Sequence, residues 1–424
     1  MMDAERLSYI FSFIGLGWYI AMWFIVLLGA FSARQRYRPQ RQSFSWRPLL
    51  QVPGVSILRP LKGLDTNLYE NLESTFKQDY PNYEILFSVA DEQDGALPIV
   101  RELITRYPNV NAEIVIGEQV VGVNPKVNNL IRSYHKAAHD IIWALDSNVS
   151  VDPGTLGRSV DSLNAPLSPS QKPIGLVHHV PFAFCNESHT GSRIEAAFLN
   201  TTHAKMYIAI NTVAIESCVV GKSNIFRRSD LERVDGSLRP RNKRATPQPT
   251  ACGLHVFGRF LAEDNMIASA LWHELGLRHE LSCDVAHNAV GNMSLSDYFW
   301  RRVRWIRVRR HMVLTATLLE PFTESVMLCI IGSCSIGHLF GFPSWIFAPM
   351  HFAFWLLVDL DVYASLAGRT MASSVAFDFI VAWVAREMLT LPIWVWAMLG
   401  SEVSWRGTKY QMLRNGEVRP SLTT

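Results

Sequence analysis

Residues 9–31, YIFSFIGLGWYIAMWFIVLLGAF, run without one charged side chain. A helix of that length crosses a hydrocarbon core of about 30 Å. The run is too long for a signal-peptide core and no small-x-small cleavage site follows it, so it reads as a retained anchor. Asp3, Glu5 and Arg6 precede it, whereas Arg34, Arg36, Arg38, Arg41 and Arg47 follow. The positive-inside bias therefore places what comes next in the cytosol and the N-terminus on the opposite side.

A second apolar cluster covers residues 325–342, 345–366 and 376–399 and reads as about three further spans, with Pro343 and Pro349 leaving room for a re-entrant piece. Three spans would put the C-terminus in the lumen, yet Arg406, Lys409, Arg414 and Arg419 pull it toward the cytosol. His338, His351, Asp359, Asp361, Asp378, Arg386 and Glu387 lie within these runs. Intramembrane charge is costly. It reads either as structural glue, with Arg386 paired to an aspartate across the bundle, or as contact with a lipid substrate.

Between the apolar ends the pattern changes. Short β-branched runs at 54–60, 83–91, 112–118 and 141–147 alternate with amphipathic stretches such as 67–76 and 96–107. That alternation predicts an α/β domain with a mostly parallel sheet, whose ligand crevice lies at the strand C-termini. Asp91 ends the second run and Asp146 the fourth, so two carboxylates are expected at one rim. No G-x-G-x-x-G or Walker A sequence follows a strand, which removes the usual phosphate-cradling loops. Segments 164–173 and 237–253 read as loops, the second basic, proline-containing and mobile. Six cysteines without a CxxC pair read as reduced thiols, and the sequons at Asn148, Asn186, Asn200 and Asn292 would stay unmodified in a cytosolic domain.

The expected segments are then an anchor at 9–31, a basic linker at 32–53, a cytosolic α/β domain at 54–300, an interfacial helix at 301–320, a membrane cluster at 325–400 and a tail at 401–424. The net charge is only +3, so the run RRVRWIRVRR at 301–310 is a local feature and whole-protein nucleic-acid binding is disfavoured. Taken singly, the polar candidates have plain readings. A strand-end aspartate such as Asp91 or Asp146 also serves as a cap or turn residue. The Glu263-Asp264 pair at a helix start also complements the helix dipole. An arginine-rich helix before a span also anchors to lipid headgroups, Lys126 also fits a solvated loop, and His178 also fits a structural place at a strand edge.

In this order, Asp91, Asp146, Asp264 and Arg301-Arg302-Val303-Arg304-Trp305 resemble the D…D…D…(Q/R)xxRW signature of membrane-bound, family 2-like glycosyltransferases of GT-A fold. The blocks GVSILRPLKG, NPKVNNL, GLVHHVPF, FLAEDNMIA and RRVRW, from residue 54 to the final SWRGTKY, are similar to those of the family 21 ceramide glucosyltransferases. Two departures stand out: Asp146-Ser147-Asn148 is not a full D-x-D, and 237–253 looks like an insertion.

The resemblance implies an inverting transfer of glucose from UDP-glucose to the primary hydroxyl of ceramide, at the cytosolic face of Golgi or endoplasmic reticulum membranes. It gives Asp264 the role of base. Asp91 would contact the uridine portion, Lys126 the nucleotide or its phosphates, and Glu263 the loop or the sugar. Asp146 would hold a divalent cation, Mg2+ or Mn2+, against the diphosphate. Arg301, Arg304 and Trp305, at i, i+3 and i+4, share a helix face whose guanidinium groups would hold the diphosphate and whose indole would pack against the acceptor or the core. Arg302, Arg307, Arg309 and Arg310 read as headgroup contacts, and His178 as a residue near the acceptor. The rival readings are a polysaccharide synthase or dolichyl-phosphate sugar transferase of the same superfamily, and a non-catalytic protein that binds lipid or nucleotide sugar.

Overall fold

A computed structural model describes residues 4–38, 52–165, 171–185, 189–240, 251–405, 408–413 and 416–420. The expected linker at 32–53, the centres of both predicted loops and the Asn186 sequon lie largely or wholly outside the described residues. Two compact units emerge: residues 1–39, 187–212 and 292–404 form one, and residues 40–186, 213–291 and 405–424 form the other.

The first unit is helical. It holds α1 (Ala4–Tyr37), and the sheet unit begins with β1 (Val55–Leu61), α2 (Leu68–Phe76), β2 (Tyr83–Val89), α3 (Leu97–Arg106) and β3 (Asn111–Ile116). There follow α4 (Pro125–Lys136), β4 (Ile141–Leu145), the short β5 (Val149–Ser150), α5 (Thr155–Leu163) and β6 (Ile174–Phe184). The helical unit resumes with α6 (Thr190–Phe198), a π-helical turn at Leu199–His203 and α7 (Ala204–Val213). The sheet unit then continues through β7 (Ser223–Arg227), α8 (Arg228–Leu231), α9 (Glu263–Leu275) and β8 (Arg278–Ala289). Helices α10 (Leu295–Met312), α11 (Leu314–Leu319), α12 (Ser325–Phe340), α13 (Ser344–Ala367) and α14 (Ser373–Leu399) complete the helical unit.

Among the described residues, three helices are long and apolar enough to cross a membrane: α1, α13 and α14. The expected third C-terminal span is different in kind. With 16 residues, α12 is short for a span, and it qualifies only together with residues 314–323, from which it bends by 65°. Small residues let α1 approach its neighbours, since a Cβ on Gly29 would lie 2.2 Å from the Lys205 carbonyl oxygen.

Charge inside this unit is paired. Lys205 Nζ lies 2.7 Å from Asp359 Oδ1, both side chains being 0% exposed. Trp383 Nε1 donates to Asp359 Oδ2 at 2.8 Å, and the ammonium sits 3.9 Å from the Trp355 ring centroid. Arg386 pairs with Glu324 and Glu387, each at 2.5 Å, and donates to Thr202 Oγ1 at 3.0 Å. The aspartate expected opposite Arg386 is thus replaced by two glutamates, because Asp359 is already taken by a lysine from the 187–212 excursion. Asp361 holds Arg34 (2.6 Å) and Arg38 (2.7 Å) at the basic end of α1.

In the second unit the predicted strands all form, giving one eight-stranded sheet of order β3-β2-β1-β4-β7-β6-β8-β5. Strands β3, β2, β1 and β4 run parallel, with Ile57 opposite Ile85 and Trp143. Strand β7 is antiparallel to β4 and β6, β6 and β8 are parallel, and β5 is antiparallel to β8. The expected α/β class with a mostly parallel sheet is what forms. Val55, Ile57, Ile85, Phe87, Val89 and Trp143 are buried because these strands are covered on both faces, which is why they read as unbroken apolar runs. The chain goes from β1 outward to β2 and β3, then returns to place β4 on the other side of β1. The sheet's switch point therefore lies between β1 and β4, where their C-terminal ends open a crevice. All six cysteines are free thiols.

Candidate active site

Loops from the switch point supply the polar groups. Ser147 and Asp65 are hydrogen-bonded across the gap between the β4 and β1 loops. Beneath them Arg59, fully buried in β1, donates to the carbonyl oxygens of Val149 (3.1 Å) and Ser147 (3.4 Å). Burial holds its guanidinium down to about 9, with Asp146 and Asp65 acting in the opposite sense.

Asp146 follows β4 directly and is gripped from two sides. Lys126 Nζ lies 2.8 Å from Oδ1 and Lys222 Nζ 3.2 Å from Oδ2. Burial would raise its pKa, but the two ammonium groups outweigh burial and hold it down to about 2. Lys126 also reaches Glu263 Oε1 at 2.9 Å. Burial works against its charge, yet Asp146, Glu263 and Asp264 more than offset that and raise its pKa above the ordinary lysine value. Lys126 and Asp146 remain 23% and 22% exposed, so the bridge is within reach of a ligand.

Local sequence explains how Lys126 arrives there. Asn124 caps α4, its side-chain oxygen accepting from the Lys126 and Val127 amides, and Pro125 starts the helix with its fixed φ. The Asn124 amide also donates to Phe260 O and Glu263 Oε2, both at 2.8 Å, which joins the start of α4 to the start of α9. Asp264, in the first turn of α9, faces Gly221. A Cβ on Gly221 would lie 1.8 Å from Asp264 Oδ2, so any side chain there would have to displace the Asp264 carboxylate. Burial, then the neighbouring Glu263 carboxylate, push Asp264 up to about 7, and Lys126 only partly counters them. A carboxylate poised near neutrality accepts a proton far better than an ordinary aspartate.

The structure thus brings Lys126, Asp146, Glu263 and Asp264 together. Lys222, Asn124 and Gly221 join them and were not singled out from the sequence. A lysine immediately before a short strand carries no distinguishing pattern; its partner is set by the antiparallel β4–β7 pairing, in which Asp146 N donates to Lys222 O at 3.1 Å. Asp91 is exposed beyond the end of β2 on the same rim, where it caps its own turn by accepting from Gln93 N at 2.8 Å. His178 is fully buried in β6, its ring 6.3 Å from that of His279.

For a divalent cation the donor chemistry fits in one way. Asp146 is an ionised, solvent-reached oxygen donor, as a hard cation requires, but among the described residues no three His, Cys, Asp or Glu side chains are grouped for metal binding. A Mg2+ or Mn2+ ion would have one protein carboxylate, leaving its other positions to phosphate oxygens and water. Asn148, where a full D-x-D motif has a second acid, accepts from Lys222 at 3.0 Å and donates to Asn288 at 3.1 Å. That position supplies neutral, fixed structure instead of a ligand.

Arg301, Arg304 and Trp305 stand on α10 in the helical unit. A capping box of Ser294 and Asp297 starts this helix. Arg301 Nε donates to Glu195 Oε1 at 2.9 Å, and its guanidinium is 6.0 Å from the Trp305 ring centroid. The remaining arginines correct the headgroup reading. Arg307 donates to the Ala397 (3.3 Å) and Glu402 (2.6 Å) carbonyl oxygens and Arg310 to that of Met398 (2.9 Å). The Ala397 and Met398 carbonyls lie in the last turn of α14, where Ala397 O also accepts from the Gly400 amide at 3.4 Å, and Glu402 lies just beyond; the two side chains thus help cap that helix end. Arg302 lies 3.7 Å from the Phe198 ring centroid, and Arg309 pairs with Glu320.

Carboxylates and ammonium groups are thus gathered at the switch point of an α/β sheet, in a chain that also carries helices long and apolar enough to cross a membrane. The chain belongs to glycosyl transferase family 21, whose family model matches residues 21–240 and 248–418. It is 37% identical to a ceramide glucosyltransferase of Komagataella phaffii, over 93% of this chain and 89% of the relative. A ceramide glucosyltransferase of Candida albicans is 32% identical over 94% and 96%, respectively. Among solved structures it is similar to a mannosyltransferase from Pyrobaculum calidifontis in complex with GDP-Man and Mn2+, at 18% identity and a TM-score of 0.44, over 92% of this chain and 95% of that one.

Proposed function

We propose that this protein transfers glucose from UDP-glucose to the primary hydroxyl of ceramide with inversion at the anomeric carbon, giving glucosylceramide. The names of its full-length relatives supply the sugar and the acceptor. The observation that carries the chemistry is the half-buried Asp264 carboxyl at the start of α9, beside Asp146 and Glu263 bridged by Lys126, where desolvation and the Glu263 charge raise it to about 7.

In this reading Asp264 takes the acceptor hydroxyl proton as that oxygen bonds to the anomeric carbon. The bond from that carbon to the diphosphate breaks, and UDP leaves with the electron pair. One base opposite the leaving group suffices for inversion. Lys126 and Lys222 meet the diphosphate charge, and Glu263 holds Lys126 toward it. A divalent cation, when bound to Asp146, supplies further positive charge to the leaving group. Asp91 contacts the uridine portion, Arg301 and Arg304 offer planar donor forks to the diphosphate, and Trp305 packs against the acceptor or the core. The positive-inside bias supports a cytosolic sheet unit, and the family resemblance supports Golgi or endoplasmic reticulum membranes as its location.

The test is product analysis with purified protein in nanodiscs, given ceramide with UDP-glucose or UDP-galactose, with Mg2+ or Mn2+ present or chelated. A single hexosylceramide from UDP-glucose alone supports the proposal. A polymer, or no lipid product while the nucleotide sugar still binds, refutes it.

A further inference from the structure

We infer that Glu195 is the positioning residue for Arg301, a role that rests on the reading of the arginine run proposed above. Helix α6 is docked against the start of α10: a Cβ on Gly191 would lie 2.1 Å from the Ser294 carbonyl oxygen, and Ser192 Oγ accepts from Met293 N at 3.0 Å. One turn beyond Gly191, Glu195 is 3% exposed and its Oε1 accepts from Arg301 Nε at 2.9 Å. Oε2 has no partner among the described residues. Burial alone would neutralise this acid, but Arg301 and then Arg302 keep it ionised, below the ordinary glutamate range.

The geometry of the grip matters more than its strength. An ion pair enclosed on its Glu195 side is a poor source of stability compared with apolar residues of the same volume, so its role here is orientation. The bond to Glu195 uses Nε, the inner nitrogen. The terminal nitrogens of Arg301, which is 26% exposed, form no hydrogen bond among the described residues and keep their fork for an anion. Arg302 does not compete for the grip, because its guanidinium is parked on the Phe198 ring one turn further along α6. Glu195 and Trp305 therefore fix the plane of Arg301 from two directions. The inferred ligand of that fork is the diphosphate of the sugar donor.

The experiment is a double-mutant cycle on the full chain in nanodiscs, with KM for UDP-glucose, KM for ceramide, kcat and Tm measured for Glu195→Gln, Arg301→Lys and the double variant. Glu195→Gln should raise the donor KM about tenfold and leave the ceramide KM and Tm nearly unchanged, and in the Arg301→Lys background it should add less than about twofold. Glu195→Asp, which keeps the charge, should recover part of the donor KM and covers the case in which Glu195→Gln fails to fold. An unchanged donor KM in Glu195→Gln, additive losses in the double variant, or equal losses for donor and ceramide would each overturn the role. Wild-type donor KM in Arg301→Lys would overturn it through the arginine reading, whereas wild-type protein making no hexosylceramide would fail the proposed function itself.

Discussion

Gly221 and Asp264 are placed so tightly that a single methyl group on Gly221 would overlap the Asp264 carboxylate, 1.8 Å from Oδ2. The residue before Lys222 thus sets the wall against which the proposed base rests. Gly221→Ala should displace the Asp264 carboxylate and lower kcat at least about tenfold, equivalent to about 1.4 kcal/mol of activation free energy. Turnover with saturating donor and acceptor measures it, and wild-type kcat would show that Asp264 can move without loss.

Removing the base itself is the sharper test. Asp264→Asn keeps the shape and abolishes the proton acceptor, so kcat should fall by about 10²–10⁴-fold while UDP-glucose binding stays measurable by calorimetry. Retained turnover would take the base role from Asp264.

The raised pKa gives a pH dependence with a defined sign. A base must be ionised to act, so kcat/KM should fall tenfold per pH unit below about 7. The stability effect runs the other way. A carboxyl whose folded pKa exceeds its ordinary value of 3.8 favours the folded state fully below 3.8, and that contribution is lost as pH rises through about 7. Asp264→Asn should therefore raise Tm at pH 8 relative to wild type and change it little at pH 4. Equal shifts at the two pH values would contradict the assignment.

Within the helical unit, Asp359→Leu leaves Lys205 buried and unpaired, with an expected loss of about 3–5 kcal/mol. Adding Lys205→Met should restore most of it, since an apolar pair of similar volume replaces the ion pair. Thermal unfolding in detergent reads both. A double variant no better than the single one would mean that Lys205 has a second role.

Much of the fold was legible because its signals are local. An uncharged run long enough to cross a bilayer, β-branched runs at 54–60, 83–91, 112–118 and 141–147, and the cap and proline of NPKVNN each bias a few consecutive residues whatever surrounds them. Strand-end aspartates could be placed at one rim, since parallel strands carry their C-termini to the same side.

Partnership was not legible, because it depends on which distant residues share a space. The order of the sheet brought Lys222 to Asp146, and the Asn124 amide brought Glu263 to Lys126. Asp359 found Lys205 and left Arg386 to two glutamates, while Arg307 and Arg310 turned from the lipid to the last carbonyls of α14. The sequence by itself determined the helices, the strands and the residue types available for chemistry; the tertiary structure alone decided which charges meet, because electrostatic and hydrogen-bond energies depend on distances between groups far apart along the chain.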